Sequence, residues 1–130
     1  MTLDLAERYR EYISCLNRQS WVDLKQFVSD DVQYNDDPLG LTAYQEMLVE
    51  NYREIPDLSF EIGMLVVERE FVAARLIFNC TPTLKFLGLE VNGRKITFTE
   101  NVFYSFSGDR ISSVWSVIDK AAIESQILAQ

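Results

Sequence analysis

At 130 residues, with 48% hydrophobic and 25% charged residues, the chain has the size and composition of one soluble globular domain, and we expect a single domain over residues 1–130. This composition disfavours disorder, a collagen-like repeat and a membrane span. Twenty acidic against twelve basic residues give a net charge of -8 at pH 7. Because phosphate backbones and anionic membranes attract basic proteins, we expect neither nucleic acid nor a membrane as a partner.

The composition also limits the chemistry. The chain has no histidine, which excludes Ser-His-Asp and Cys-His catalysis and the histidine-containing zinc sites. Cys15 and Cys80 are too few for a thiolate zinc cluster, and we expect them to be reduced thiols in the core. The five glycines stand alone, so neither a phosphate-binding loop nor a nucleotide cofactor is expected. The N-terminus has no basic region followed by an apolar run, which predicts a cytoplasmic location.

Apolar residues at three- and four-residue spacing predict three helices in the first half of the chain. The first covers roughly residues 3–17, the second residues 20–27 and the third residues 42–55. Capping-box patterns mark the beginnings of the second and third helices. Pro56 ends the third helix, because proline disfavours helical geometry in the residue before it.

From Leu58 onward apolar residues occupy alternate positions, which predicts strands. A short helix is expected at the end of the chain. Asn92-Gly93 predicts a two-residue hairpin turn. The expected strands cover residues 58–66, 71–80, 96–106 and 110–119, and the helix covers residues 121–128. Three turn-linked strand pairs after three helices predict an α+β fold, in which a cone-shaped, curved antiparallel sheet wraps around the three N-terminal helices. The interior of such a cone suits a small apolar ligand.

Two acidic residues are candidates for acid–base chemistry. Glu100 shares its parity with inward apolar residues, so its carboxyl would be desolvated and its pKa raised toward neutrality. A local bulge that turns Glu100 outward, or an ion pair with Arg75, is the structural alternative. Asp119 shares a face with Trp115 and ends the last strand, where it would reach the mouth or floor of the cone. Its alternative role is to cap the helix that follows.

The segment from Tyr34 to Pro38 places adjacent acids beside an aromatic ring and could orient a ligand, although these residues are also ordinary turn formers. The chain has 14 Phe and Tyr residues and 2 Trp residues. So many aromatic rings suit either a ligand cage or a cone filled by its own side chains. The candidate substrate-binding residues are Tyr34, Asp36, Tyr44, Tyr52, Phe98, Tyr104 and Trp115.

The order of these elements, with several local strings, resembles the SnoaL-like polyketide cyclases, or ester cyclases, of the nuclear-transport-factor-two-like superfamily. The strings are Asp31-Val32 followed by Asp37-Pro38, Ile55-Pro56-Asp57-Leu58, Phe71 to Arg75, Phe86 to Leu89, Asn92 to Phe98, and Asp109-Arg110-Ile111 running to Trp115 and Asp119. The resemblance implies an enclosed pocket, a homodimer formed through the sheet, and an aldol ring closure without metal or cofactor. It also implies that Asp119 is the general acid/base and that Trp115 lines the pocket.

Two positions depart from the family pattern: Asn35 and Val114 stand where family members often have histidine. If those histidines share in proton transfer, this chain has lost that function or uses Glu100 instead. The resulting hypothesis is a protein that binds a small apolar carbonyl compound and moves a proton next to the carbonyl through Asp119 or Glu100. The product would be a closed ring or a shifted double bond. The alternatives are a non-catalytic small-molecule binding domain and a dimerisation domain with a filled cone.

Overall fold

The computed structural model describes residues 3–129 as one α+β unit. Its helices are α1 (Leu5–Asn17), a 3₁₀ helix (Trp21–Gln26), α2 (Leu41–Glu54) and α3 (Lys120–Leu128). Its strands are β1 (Val28–Tyr34), β2 (Asp37–Pro38), β3 (Glu61–Glu68), β4 (Phe71–Cys80), β5 (Lys85–Phe86), β6 (Leu89–Glu90), β7 (Ile96–Ser107) and β8 (Arg110–Ile118). The predicted combination of N-terminal helices, curved sheet and short C-terminal helix is confirmed.

The helices begin differently from the prediction. Asp4 caps α1, and its carboxylate accepts a hydrogen bond from the Glu7 amide at 3.2 Å. The predicted capping box at Thr42 does not form, because α2 already begins at Leu41, after Gly40 with a φ of 84°. The second helix is a 3₁₀ helix, and its Ser20 hydroxyl donates to the Asp23 carboxylate at 2.7 Å rather than accepting from the backbone.

Six strands form the main sheet in the order β2-β1-β8-β7-β4-β3. The sheet is antiparallel except for one pair, because β1 lies parallel to β8. Sequence patterning did not predict β1. Its buried residues Val28 and Val32 are four positions apart, and the register shifts between Val28 and Gln33, so the strand lacks the alternation that reveals half-buried strands.

The segment 81–95 also departs from the prediction. Asn92 and Gly93 do form a turn, with φ values of 53° and 79°. The turn does not join two paired strands, however, because its amides donate to Leu84 and Pro82, each at 2.8 Å. Strands β4 and β7 pair along ten residues. The segment that connects them contains the separate β5–β6 pair.

The core lies between the concave face of the sheet and the helices. Residues of β4 and β7 alternate between the core and the outer face, which is the pleat that the sequence predicted. Helix α3 closes one end through the fully buried Ile123, while the Gln126 side chain bonds both backbone groups of Thr97. Cys15 and Cys80 are buried free thiols, as predicted. None of the described helices is long and apolar enough to cross a membrane.

Candidate functional site

The cone contains a cavity of about 210 Å³ that is partly open to solvent. Most of its wall is aliphatic or phenylalanine side chains from α1, α2, the concave face of the sheet and the segments that connect these elements. Six polar side chains interrupt this wall: Tyr12, Tyr34, Tyr44, Asn51, Glu100 and Tyr104. Among the residues that the structure describes, no lysine or arginine lines the cavity. The cavity is therefore apolar and carries a single carboxyl group.

Glu100 reaches this cavity from the middle of β7, between the inward residues Phe98 and Val102. Burial raises the pKa of its carboxyl, and a hydrogen bond from the Ser116 hydroxyl partly offsets that rise. Arg75 does not pair with it. The Arg75 guanidinium donates instead to the Asn101 side chain at 3.3 Å, on the other side of the sheet. Glu100 therefore points inward, and neither the bulge that would turn it outward nor the ion pair with Arg75 is present.

Tyr34 extends the polar group around Glu100. It lies at the end of β1, and its ring centroid is 6.4 Å from that of Tyr44. Burial raises the pKa of Tyr34, and a hydrogen bond with Ser116 lowers it in part. Ser116 therefore lies near both Tyr34 and Glu100, and its hydroxyl donates to the Glu100 carboxylate.

Two tyrosine pairs lie deeper in the cone. The hydroxyl oxygens of Tyr12 and Tyr44 are 2.6 Å apart, and those of Tyr9 and Tyr104 are 3.0 Å apart. Burial raises the pKa of all four phenols above the ordinary value of 10.0. These hydroxyls consequently keep their protons at neutral pH and remain hydrogen-bond donors.

Asp119 lies outside the cavity. It is exposed at the start of α3, and its carboxylate accepts a hydrogen bond from the Ala122 amide at 3.1 Å. This contact is the helix cap that the sequence offered as the alternative to a pocket role. Asp119 is not among the residues that line the cavity, although its neighbour Ile118 is.

Trp115 and Asp36 also lie outside the cavity, although the fold brings them together. The Trp115 indole donates to the Asp36 carboxylate at 2.8 Å. Trp115 was expected to line the pocket, but it does not. The pleat of β8 turns Val114 and Ile118 into the cavity, whereas Trp115 and Val117 lie on the outer face. Both faces of β8 are apolar, so alternation alone did not show which one was inside.

The other predicted binding residues divide in a similar way. Tyr34, Tyr44, Phe98 and Tyr104 line the cavity. Tyr52 packs beside it without lining it, because its hydroxyl donates to the Leu16 carbonyl at 2.8 Å. Burial raises the pKa of Tyr52 to about 12.

Sequence reasoning missed Tyr12, Asn51 and Ser116. Tyr12 was assigned only to the apolar stripe of α1, and its partner Tyr44 lies 32 positions away on α2. Ser116 shares its parity with Val114, but its approach to Glu100 depends on the register between β7 and β8. Within residues 3–129 no group of three metal-ligating side chains comes together.

Comparison with known proteins gives one consistent result. A family model described as SnoaL-like polyketide cyclase matches residues 6–127. The structure of a SnoaL-like polyketide cyclase from Agrobacterium tumefaciens is 46% identical in sequence, with a TM-score of 0.95, covering 97% of this chain and 99% of that one.

More distant structures share the fold alone. IdmH from Streptomyces antibioticus has a TM-score of 0.84 at 15% identity, covering 96% of this chain and 99% of its own. TsrD from Streptomyces laurentii has a TM-score of 0.84 at 17% identity, covering 99% of this chain and 100% of its own. No curated protein sequence gives a significant match.

Proposed function

Because the chain belongs to the SnoaL-like polyketide cyclase family, we propose that it binds a small apolar carbonyl compound and moves a proton next to the carbonyl with Glu100. The observation that carries this proposal is the position of Glu100, the one carboxyl among the described residues lining the cavity. Burial raises its pKa, and a general base is most effective when its pKa lies near the working pH.

The proposed reaction needs no change of oxidation state. The ionised Glu100 takes a proton from the carbon next to the carbonyl, and the C–H electron pair forms the enolate. In a ring closure, the enolate carbon attacks a second carbonyl of the same molecule, and the new alkoxide takes the proton back from Glu100. In an isomerisation, Glu100 returns the proton to a different carbon. Both outcomes use the same residue in both proton transfers.

In this proposal Asp119 stabilises α3 and does not transfer protons. Its carboxylate is exposed and engaged with the Ala122 amide, whereas Glu100 lies inside the apolar cavity. Ser116 acts as a positioning residue, since its hydroxyl donates to the Glu100 carboxylate.

The test measures deuterium exchange at the carbon next to the carbonyl. Cyclohexanone and cyclohex-2-enone are incubated with the protein in D₂O, and incorporation is followed by NMR. We expect the wild-type protein to accelerate exchange, Glu100→Gln to lose the acceleration, and Asp119→Asn to retain it. Exchange that survives in Glu100→Gln would overturn the role of Glu100. Binding of the ketones without accelerated exchange would support the non-catalytic binding domain.

We also propose that two copies associate through the outer face of the sheet. Met64, Val66, Phe103 and Val117 are between 55% and 70% exposed there. Among the described residues lining this shallow face, Arg75 is the one charged side chain. Two chains that each carry a net charge of -8 repel one another, and the repulsion is weakest between surfaces that are depleted of charge. This face therefore suits a self-complementary contact.

A further inference from the structure

The tyrosine hydroxyls in the cone supply more O–H donors than there are protein acceptors for them. A hydroxyl carries one proton, so in a pair of hydroxyls one donates to the other and the second proton is left over. Among the described residues, the hydroxyls of Tyr12 and Tyr44 have no hydrogen-bond partner but each other. One O–H donor of this pair therefore has no protein acceptor, and a buried donor without an acceptor is unfavourable.

Both residues of the Tyr12–Tyr44 pair line the cavity, so a carbonyl ligand inside it is the available acceptor for the free donor. Of the other pair only Tyr104 does so, while Tyr9 lies behind it. Tyr44 is also near Glu100, whose charge contributes to the raised pKa of the Tyr44 phenol. A donor and a proton-transferring carboxyl thus meet in one apolar space, which is the arrangement that an enolisable carbonyl compound requires.

The cavity also limits the charge and size of its ligand. With no lysine or arginine among the described lining residues, an anionic ligand would find no counter-charge. The volume of about 210 Å³ is below the range of roughly 300–1,000 Å³ that is usual for ligand pockets. A cavity of about 150 Å³ suffices for benzene. The cavity therefore has room for an uncharged molecule of one ring.

We propose that the Tyr12–Tyr44 hydroxyl pair binds the carbonyl oxygen of an uncharged, single-ring ketone or enone and directs the adjacent carbon toward Glu100. Within the pair, the hydroxyl that accepts the hydrogen bond becomes the stronger donor, because hydrogen bonds in a chain polarise one another. As the proton leaves for Glu100, the carbonyl oxygen gains negative charge, and its bond to the tyrosine becomes charge-assisted. The proton-transfer step rests on the proposed function, whereas the oxygen site stands without it.

The test compares two ligands of one shape. Cyclohexanone and methylenecyclohexane differ in the oxygen that the tyrosine pair would bind. We expect the wild-type protein to prefer the ketone, and Tyr12→Phe/Tyr44→Phe to lose about tenfold of that preference, as one hydrogen bond predicts. Each single variant keeps one hydroxyl and should lose less. Tyr9→Phe is the matched control, because it removes a buried hydroxyl that does not line the cavity.

A spectroscopic measurement keeps the proposal testable if the double variant does not fold. The ¹³C resonance of carbonyl-labelled cyclohexanone should move downfield on binding to the wild-type protein, relative to its position in an apolar solvent, and less so in Tyr44→Phe. The oxygen site is overturned if wild type, Tyr44→Phe and the double variant show the same preference for the ketone or the same ¹³C carbonyl resonance. Absence of ketone binding would overturn it as well.

Two further arms separate the claims. Glu100→Gln should bind cyclohexanone with the same carbonyl shift while deuterium exchange is lost. If exchange is unaffected in Glu100→Gln but the carbonyl shift depends on the tyrosines, the proposed function fails and the oxygen site holds. In the series cyclohexanone, α-tetralone and anthrone, we expect binding to weaken at the two-ring member and to be lost at the three-ring member. Tighter binding of anthrone than of cyclohexanone would overturn the single-ring assignment.

Discussion

Replacing Asp119 by alanine removes the cap of α3 and tests whether this residue acts in stability rather than in chemistry. The Asp119 carboxylate accepts the Ala122 amide at 3.1 Å, and its φ of -75° and ψ of 79° are those of a residue just outside the helix. Helix α3 has only nine residues, so the loss of one of its terminal hydrogen bonds affects a large part of it.

The expected cost is about 1 kcal/mol, the usual value for a polar N-cap replaced by alanine. For a domain of this size that free energy lowers the melting temperature by about 4 °C. Asp119→Asn keeps an acceptor oxygen and loses only the attraction between the carboxylate and the helix dipole, about 0.5 kcal/mol. The matched pair therefore predicts a clear loss of stability in the alanine variant and a small one in the asparagine variant.

Thermal unfolding followed by circular dichroism measures the two melting temperatures, and the deuterium-exchange assay is run on the same samples. An alanine variant that melts with the wild type would refute the cap. A normal melting temperature in Asp119→Asn, combined with abolished exchange, would refute the assignment of proton transfer to Glu100 and restore Asp119 as the functional acid.

Three further outcomes are expected. Ser116→Ala removes the hydrogen bond that lowers the pKa of Glu100, so the acid limb of the pH–rate profile for exchange should move to higher pH; an unchanged limb would separate Ser116 from the site. Glu100 has a higher pKa in the folded protein than its ordinary 4.5, so the folded state holds the proton more tightly, and stability falls as pH rises from 4.5 through the folded pKa. Glu100→Gln should thus resist urea better than wild type at pH 8 and lose that advantage at pH 4, which chemical denaturation at both values checks. Phe103→Glu and Val117→Lys each place a charge on the outer face, and light scattering should report monomers for both, whereas dimers that persist at micromolar concentration would place the contact elsewhere.

The sequence predicted those elements whose periodicity is regular. The alternation in β4 and β7 and the apolar stripe of α1 follow from burial of one face, and a single strand or helix displays that pattern without its neighbours. Strand β1 escaped prediction because its irregular register interrupts the alternation, and its pairing partner, β8, lies far along the chain. The turn at Asn92 and Gly93 was predicted from its backbone preference, but local preference does not say which strands a turn connects.

The amino-acid pattern was enough to show that Glu100 faces the same side as Phe98 and Val102, because alternation along one strand fixes relative orientation. The packed fold was needed to show that Trp115 points outward, since both faces of β8 are apolar and the orientation depends on which face the helices cover. It likewise decided the pairing of Tyr12 with Tyr44, which lie on different helices. Contacts between distant residues depend on how elements pack and on the register between strands, and a pattern within one element carries neither.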